Sequence, residues 1–278
     1  MLYSFFISIY LYTNVNAKQK DMSNNDYKFP TEVIDLPSQG KQYPDKHPLS
    51  NGTIEIKYMT AKEEDILAST NLIKKGIVLD KLLESVVVEK GLDVGDIFIG
   101  DKNAVLLATR VLGYGPEYNL EVNDPFTGEP QKTTINLAKI QIKEVDLKKL
   151  SIDNRYEFEL PSNKLKIKYK LLTHKDEVDI AAELHAMQRL SKNKDAGTSE
   201  VSTRLRYMIV EVDGNDDRGF INKWVINNFL ARDSKALRKH VKEISPDLDL
   251  TYLFTSDITG ESEALDIPFG AGFFYPSE

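Results

Sequence analysis

The 278-residue chain contains no cysteine. That absence excludes disulfides, thiol nucleophiles and cysteine-based zinc sites together, and it suits a reducing compartment. Histidine is scarce, with His47, His174, His185 and His240 the only four. No two stand four residues apart, the spacing at which a helix presents a pair to one metal ion. Positive charge is in deficit, since 36 Lys and Arg against 43 Asp and Glu leave a net charge of −7. Nucleic-acid affinity comes mainly from cations that displace counterions from phosphates, so nucleic acid is not an expected partner. The sequence also lacks a Gly-rich phosphate loop, a G-x-S-x-G elbow and an Asp/His cluster. Together these absences point away from an enzyme, a cofactor or a metal, and towards a protein that acts through its surfaces.

What is present begins with an apolar, aromatic stretch at residues 1–12 (MLYSFFISIYLY), short of the ~20 residues of a membrane span. Residues 1–21 therefore form a non-native or signal-like extension. In one reading the start is assigned too early and Met22 opens the polar stretch MSNNDYKFP. In the other, Val15 and Ala17 mark a cleaved signal peptide, although no Lys or Arg precedes the apolar run.

Residues 22–50 are polar and Pro-rich, which predicts an extended arm. From Gly52, Ile54, Ile56 and Tyr58 alternate with charged residues, the period of a half-buried strand. Thr60 and Glu63 have capping-box spacing. Leu79, Leu82, Leu83, Val86 and Val87 describe a buried helix face, and Asp101 is placed to cap a helix that stops at Gly113–Gly115. Two short strands flank the turn at Pro125–Gly128.

The second half carries the same punctuation. Leu165, Ile167 and Tyr169 alternate with lysines; Thr173 opens a helix; residues 191–200 predict a mobile loop; Asp233 caps a late helix that ends before Pro246. Leu36-Pro37-Ser38 recurs as Leu160-Pro161-Ser162, Thr60 to Glu64 as Thr173 to Glu177, and Thr127-Gly128-Glu129 as Thr259-Gly260-Glu261. The predicted class is α+β: two similar units at 22–150 and 151–278, possibly from a tandem duplication, with helices packed on short antiparallel sheets.

Each candidate site has an ordinary structural role set against it. An EF-hand loop from Asp213 would need Gly at its sixth position and Glu at its twelfth, where the chain has Arg218 and Trp224. Lys164, Lys166, Lys168 and Lys170 alternate as any solvated strand face does. The informative end is Phe273-Phe274-Tyr275 after two glycines, because three consecutive aromatics cannot all enter one core from a strand. At least one of Phe273, Phe274 and Tyr275 is expected at a partner interface, the alternative being a lid on the chain's own fold.

Several runs resemble one family. Leu36-Pro37-Ser38-Gln39-Gly40-Lys41 with Tyr43, then Met59 to Leu67, then Gly100-Asp101 with Arg110, Tyr114-Gly115 and Tyr118, and the aromatic-proline ending are similar, in order, to the baseplate hub proteins of T4-like contractile-tailed bacteriophages. The resemblance runs from about Phe29 to the C-terminus. It implies a hub subunit or hub assembly protein made in the host cytoplasm, with other hub proteins, the central spike complex and the tape-measure protein as partners. Relatives with cysteine pairs near the hairpin would hold zinc there; this cysteine-free chain closes the turn at Asp124–Glu129 by backbone geometry instead. The competing expectations are a secreted or envelope-associated binding module and an enzyme without a familiar motif.

Overall fold

A computed structural model describes residues 30–190 and 199–274. The expectations for residues 1–21 and for most of the loop at 191–200 fall outside the described residues.

The first half opens on β1 (Thr31–Asp35), paired antiparallel with β2 (Thr53–Lys57) so that Ile34 faces Ile54. Between them the chain is not an extended arm. Leu36, Tyr43 and Leu49 are buried in the core, although the segment has no period that would reveal them. The arm expected over residues 22–50 is thus replaced, from residue 30 onward, by a packed strand and loop. Gly40 makes the packing possible: its φ is 75°, and a Cβ there would strike the Ser50 carbonyl.

Helices α1 (Ala61–Ala68), α2 (Thr70–Lys75), α3 (Val78–Val86) and α4 (Ile99–Tyr114) follow. Leu82, Leu83 and Val86 of α3 are buried, on the face that periodicity marks. Hairpin β3 (Glu117–Asn123) and β4 (Pro130–Asn136) then closes through Asp124, whose carbonyl accepts from the Gly128 N–H at 2.7 Å.

In the second half β5 (Tyr156–Glu159), β6 (Lys166–Tyr169) and β7 (Ile209–Val212) form a three-stranded antiparallel sheet. Helices α5 (His174–Leu190), α6 (Glu200–Met208), α7 (Arg218–Asn227) and α8 (Ala231–Ile244) lead to a second hairpin, β8 (Thr251–Thr255) and β9 (Ser262–Asp266). The fold is α+β with helices on short antiparallel sheets, as the sequence pattern predicts.

Equivalent side chains in the two halves make equivalent bonds. Lys57 Nζ donates to Glu63 at 2.8 Å and Lys170 Nζ to Asp176 at 2.6 Å. The same carboxylates accept from the Thr60 N–H at 2.8 Å and the Thr173 N–H at 3.1 Å. Ser38 N–H donates to Asp101 at 3.0 Å, and Ser162 N–H to Asp233 at 3.1 Å. In both pairs the serine hydroxyl donates to the second carboxylate oxygen.

Asp101 and Asp233 are not N-caps. Phe98 and Leu230 hold that position, and each aspartate sits in the first turn of its helix. A carboxylate there complements the helix dipole while it fastens a distant loop.

The halves share one core, containing Leu83 and Val105 from the first and Ile167 and Leu237 from the second. Backbone bonds cross between them: His174 N–H donates to Ile97 O at 2.8 Å, and Lys143 N–H to Asp247 O at 2.9 Å. Gly100 lies against the Pro246 carbonyl with no room for a Cβ.

Candidate functional site

The aromatic end is held from within. Phe273 and Phe274 are each 1% exposed, and the Phe273 ring meets Tyr118 edge-on at 5.0 Å and Phe269 at 4.8 Å. Beneath them Arg110, also buried, spends its guanidinium on backbone carbonyls. Nε donates to Phe273 O at 3.1 Å, Nη1 to Gly115 O at 3.0 Å and Nη2 to Glu117 O at 3.3 Å. Its Cζ lies over the Tyr114 ring, 5.1 Å from the ring centre. Burial lowers the Arg110 pKa from its ordinary value, without the help of a paired carboxylate among these contacts. In the isolated chain, then, Phe273 and Phe274 form a lid on their own fold, and Tyr275 lies outside the described residues. A partner contact through these rings requires the tail to leave its seat.

One surface that does face outward is built by the two hairpins. Their turns meet where Ser256 Oγ donates to Asp124 at 2.5 Å. Gln131 ties the same corner, donating to Thr255 O at 2.9 Å and accepting from the Asp257 N–H at 2.9 Å. Each hairpin turns one face inward, with Tyr118 and Ile135 buried in the first and Phe254 in the second. The other face of the second hairpin is solvated throughout: Thr251, Leu253 and Thr255 stand opposite Asp266, Ala264 and Ser262, all exposed. Leu253 on this face is 71% exposed and Ile258 at the tip is 68% exposed, with Phe126 uncovered at the neighbouring tip. Both hairpins are two-stranded, so among the described residues no third strand pairs with their outer edges.

The remaining candidates have structural roles. Lys164, Lys168 and Lys170 each reach a carboxylate, of Glu159, Glu211 and Asp176 respectively, which neutralises three of the four lysines in the stripe. Asp213 and Gly214 shape a tight turn with positive φ, and Asp217 caps α7 by accepting from the Phe220 N–H at 2.7 Å. Among the described residues no group of three His, Cys, Asp or Glu could hold a metal ion. No described helix is long and apolar enough to cross a membrane.

Sequence reasoning missed Arg110 as the anchor of the tail, because a lone arginine in a helix pattern ordinarily marks a solvated face. It also missed Gln42, buried in a loop expected to be extended.

Residues 29–156 match the family model described as T4 bacteriophage base plate protein. The match covers the first half through its hairpin and ends at the start of β5. No curated protein and no solved structure matches the chain.

Proposed function

We propose that this chain is a T4-like phage baseplate structural protein that serves at the baseplate hub through surface contacts, without catalysis. The observation that carries this reading is the pair of joined hairpins, whose tips and outward strands leave Phe126, Leu253 and Ile258 uncovered in the isolated chain. Exposed apolar groups beside open strand edges are the ordinary means of docking a further chain. The motif order at Leu36–Tyr43, Met59–Leu67 and Gly100–Tyr118 supports the hub in particular. The proposed partners are other hub proteins, the central spike complex and the tape-measure protein, met in the host cytoplasm during assembly.

The repeated Ser–Asp and Lys–carboxylate bonds support a tandem duplication, with units at 22–150 and 151–278. On that reading the second unit is a diverged copy of the matched one. The aromatic end, Phe273 to Tyr275, joins the interface only where a partner draws the tail out of its seat.

Cross-linking mass spectrometry of purified particles and of assembly intermediates tests the proposal. Cross-links from Lys132 or Lys139, beside the first hairpin, to a hub or spike protein support it. Cross-links confined to peripheral baseplate proteins would place the chain elsewhere.

A further inference from the structure

A cleft of about 260 Å³ opens where the two halves meet. Its walls are largely apolar, formed by Phe98 and Ile99 at the start of α4 and by Leu172, Met208 and Val241 from the second half. Gln42 enters it from the loop after β1 and is only 2% exposed. Among the described residues its Nε2 has no hydrogen-bond partner. A buried amide donor left unpaired is costly, and such groups in native proteins are ordinarily met by an acceptor.

Apart from the exposed Lys242, the other polar side chains of the wall are already engaged. Arg204 reaches Glu177 at 3.4 Å and Glu200 at 3.3 Å. Lys143 Nζ donates to the carbonyls of Lys242 and Ser245 at the end of α8. Asp247 accepts from Asn103 at 3.0 Å and from the Leu248 N–H at 2.8 Å. What the cleft lacks is an acceptor opposite Gln42. Charge decides its kind, because once Arg204 is paired with its glutamates, Lys143 and Lys242 still line the cleft against Asp247 alone. The volume falls below the ~300–1,000 Å³ of a drug-sized pocket, so it suits a group about one residue in size.

We propose that this cleft binds a carboxylate carried on an apolar group, with a carboxylate oxygen accepting from Gln42 Nε2 and the apolar part packed against Phe98 and Met208. Two sources present this chemistry: the C-terminal residue of a partner chain and a free carboxylic acid. The inference stands on the cleft alone and does not depend on the hub assignment.

The test is a titration of the isotope-labelled full-length protein with N-acetyl-leucine, with its neutral amide, and with a short peptide ending in a free leucine carboxylate. N-acetyl-leucine is expected to shift the Gln42 side-chain amide and the Gly100 N–H saturably, with the neutral amide at least ~10-fold weaker. Gln42→Leu should weaken the acid ~10-fold, and Lys242→Glu, an exposed change that leaves the fold intact, should also weaken it. A peptide that outbinds the free acid identifies a chain terminus as the source; equal binding identifies a small acid. Absence of saturable shifts with both acid and peptide overturns the proposal. Equal binding of acid and amide, or affinity unchanged in both variants, does the same.

Discussion

Ser256 Oγ and the carboxylate of Asp124, 132 residues apart in sequence, are joined at 2.5 Å, and that bond holds the tips of the two hairpins together. Asp124 also organises its own turn, accepting from the N–H groups of Phe126 at 2.8 Å and Thr127 at 3.3 Å. Ser256 does the same in the second turn, its hydroxyl oxygen accepting from the Ile258 and Thr259 N–H groups. This hydrogen bond, beside the two that Gln131 makes to Thr255 and Asp257, couples two turns that are each locally stable. Ser256→Ala should raise amide exchange in both turns while it leaves the exchange of α4 and α8 unchanged. Exchange altered in the second turn alone would show that the tips are not coupled.

The aspartates that fasten the loops differ in how much rests on them. Asp101 accepts from Ser38 N–H, from Ser38 Oγ and from the Tyr43 hydroxyl at 2.8 Å, whereas Asp233 accepts only from Ser162 among these contacts. Each buried donor stranded by truncation costs about 1–3 kcal/mol. Asp101→Ala should therefore lose about 4 kcal/mol and Asp233→Ala about 2 kcal/mol in urea unfolding. Equal losses would mean that the Tyr43 bond adds nothing.

Two carboxyls give the stability opposite pH slopes. Burial raises Asp101 from 3.8 to about 6, more than its bonds from Ser38 and Tyr43 lower it. Between those values the folded chain keeps a proton that the unfolded chain has released, so stability falls as pH rises from about 4 to about 6. Burial alone would also raise Glu63, but bonds from Lys57, Ser85 and Thr60 outweigh it and hold the carboxyl at about 2. Its contribution is full above the ordinary 4.5 and is lost as pH falls towards 2. Urea midpoints across this range should show both limbs. Asp101→Asn should flatten the upper limb and Glu63→Gln the lower one.

Much of this frame is legible in the sequence because it is periodic or punctuated. Ile54 and Ile56 alternate, Leu82, Leu83 and Val86 repeat at helical spacing, and the Thr-Gly-Glu turns announce both hairpins. The loop at 36–50 was not legible, because Leu36, Tyr43 and Leu49 are single anchors among prolines and polar residues. Asp101 and Asp233 look like N-caps by residue type, yet their carboxylates are drawn to serines 63 and 71 residues away. Nothing local in a sequence records such a partner; only the recurrence of Leu-Pro-Ser hints at it. Tyr43 sharpens the point, since its ring stacks on His47 at 4.6 Å while its hydroxyl serves Asp101.

The tail should behave as core until a partner intervenes. Phe274→Ser removes a fully buried ring and should cost about 3–5 kcal/mol. Arg110→Met strands the carbonyls of Phe273, Gly115 and Glu117 and should cost about 3 kcal/mol. Thermal unfolding of the isolated chain checks both. A Phe274→Ser variant that melts like the wild type while it fails to assemble would place that ring at an interface after all.

The junction of the halves is best tested by two glycines of α4. At Gly100 an added Cβ would strike the Pro246 carbonyl and crowd the Asp247 backbone, which no rotamer change can relieve. At Gly113 the only close obstacle is the terminal methyl of Met59, at the end of a flexible side chain. Alanine is favoured over glycine in a helix by about 1 kcal/mol, so the two substitutions begin from the same intrinsic gain. Gly113→Ala should keep most of it and leave stability level or slightly raised. Gly100→Ala must move one half against the other, at a cost of about 1–3 kcal/mol, and should disturb the Asn103–Asp247 bond at 3.0 Å. Urea unfolding of the two variants side by side separates strain at the junction from helix propensity. If Gly100→Ala proved as stable as Gly113→Ala, the halves would not be pressed together at Pro246.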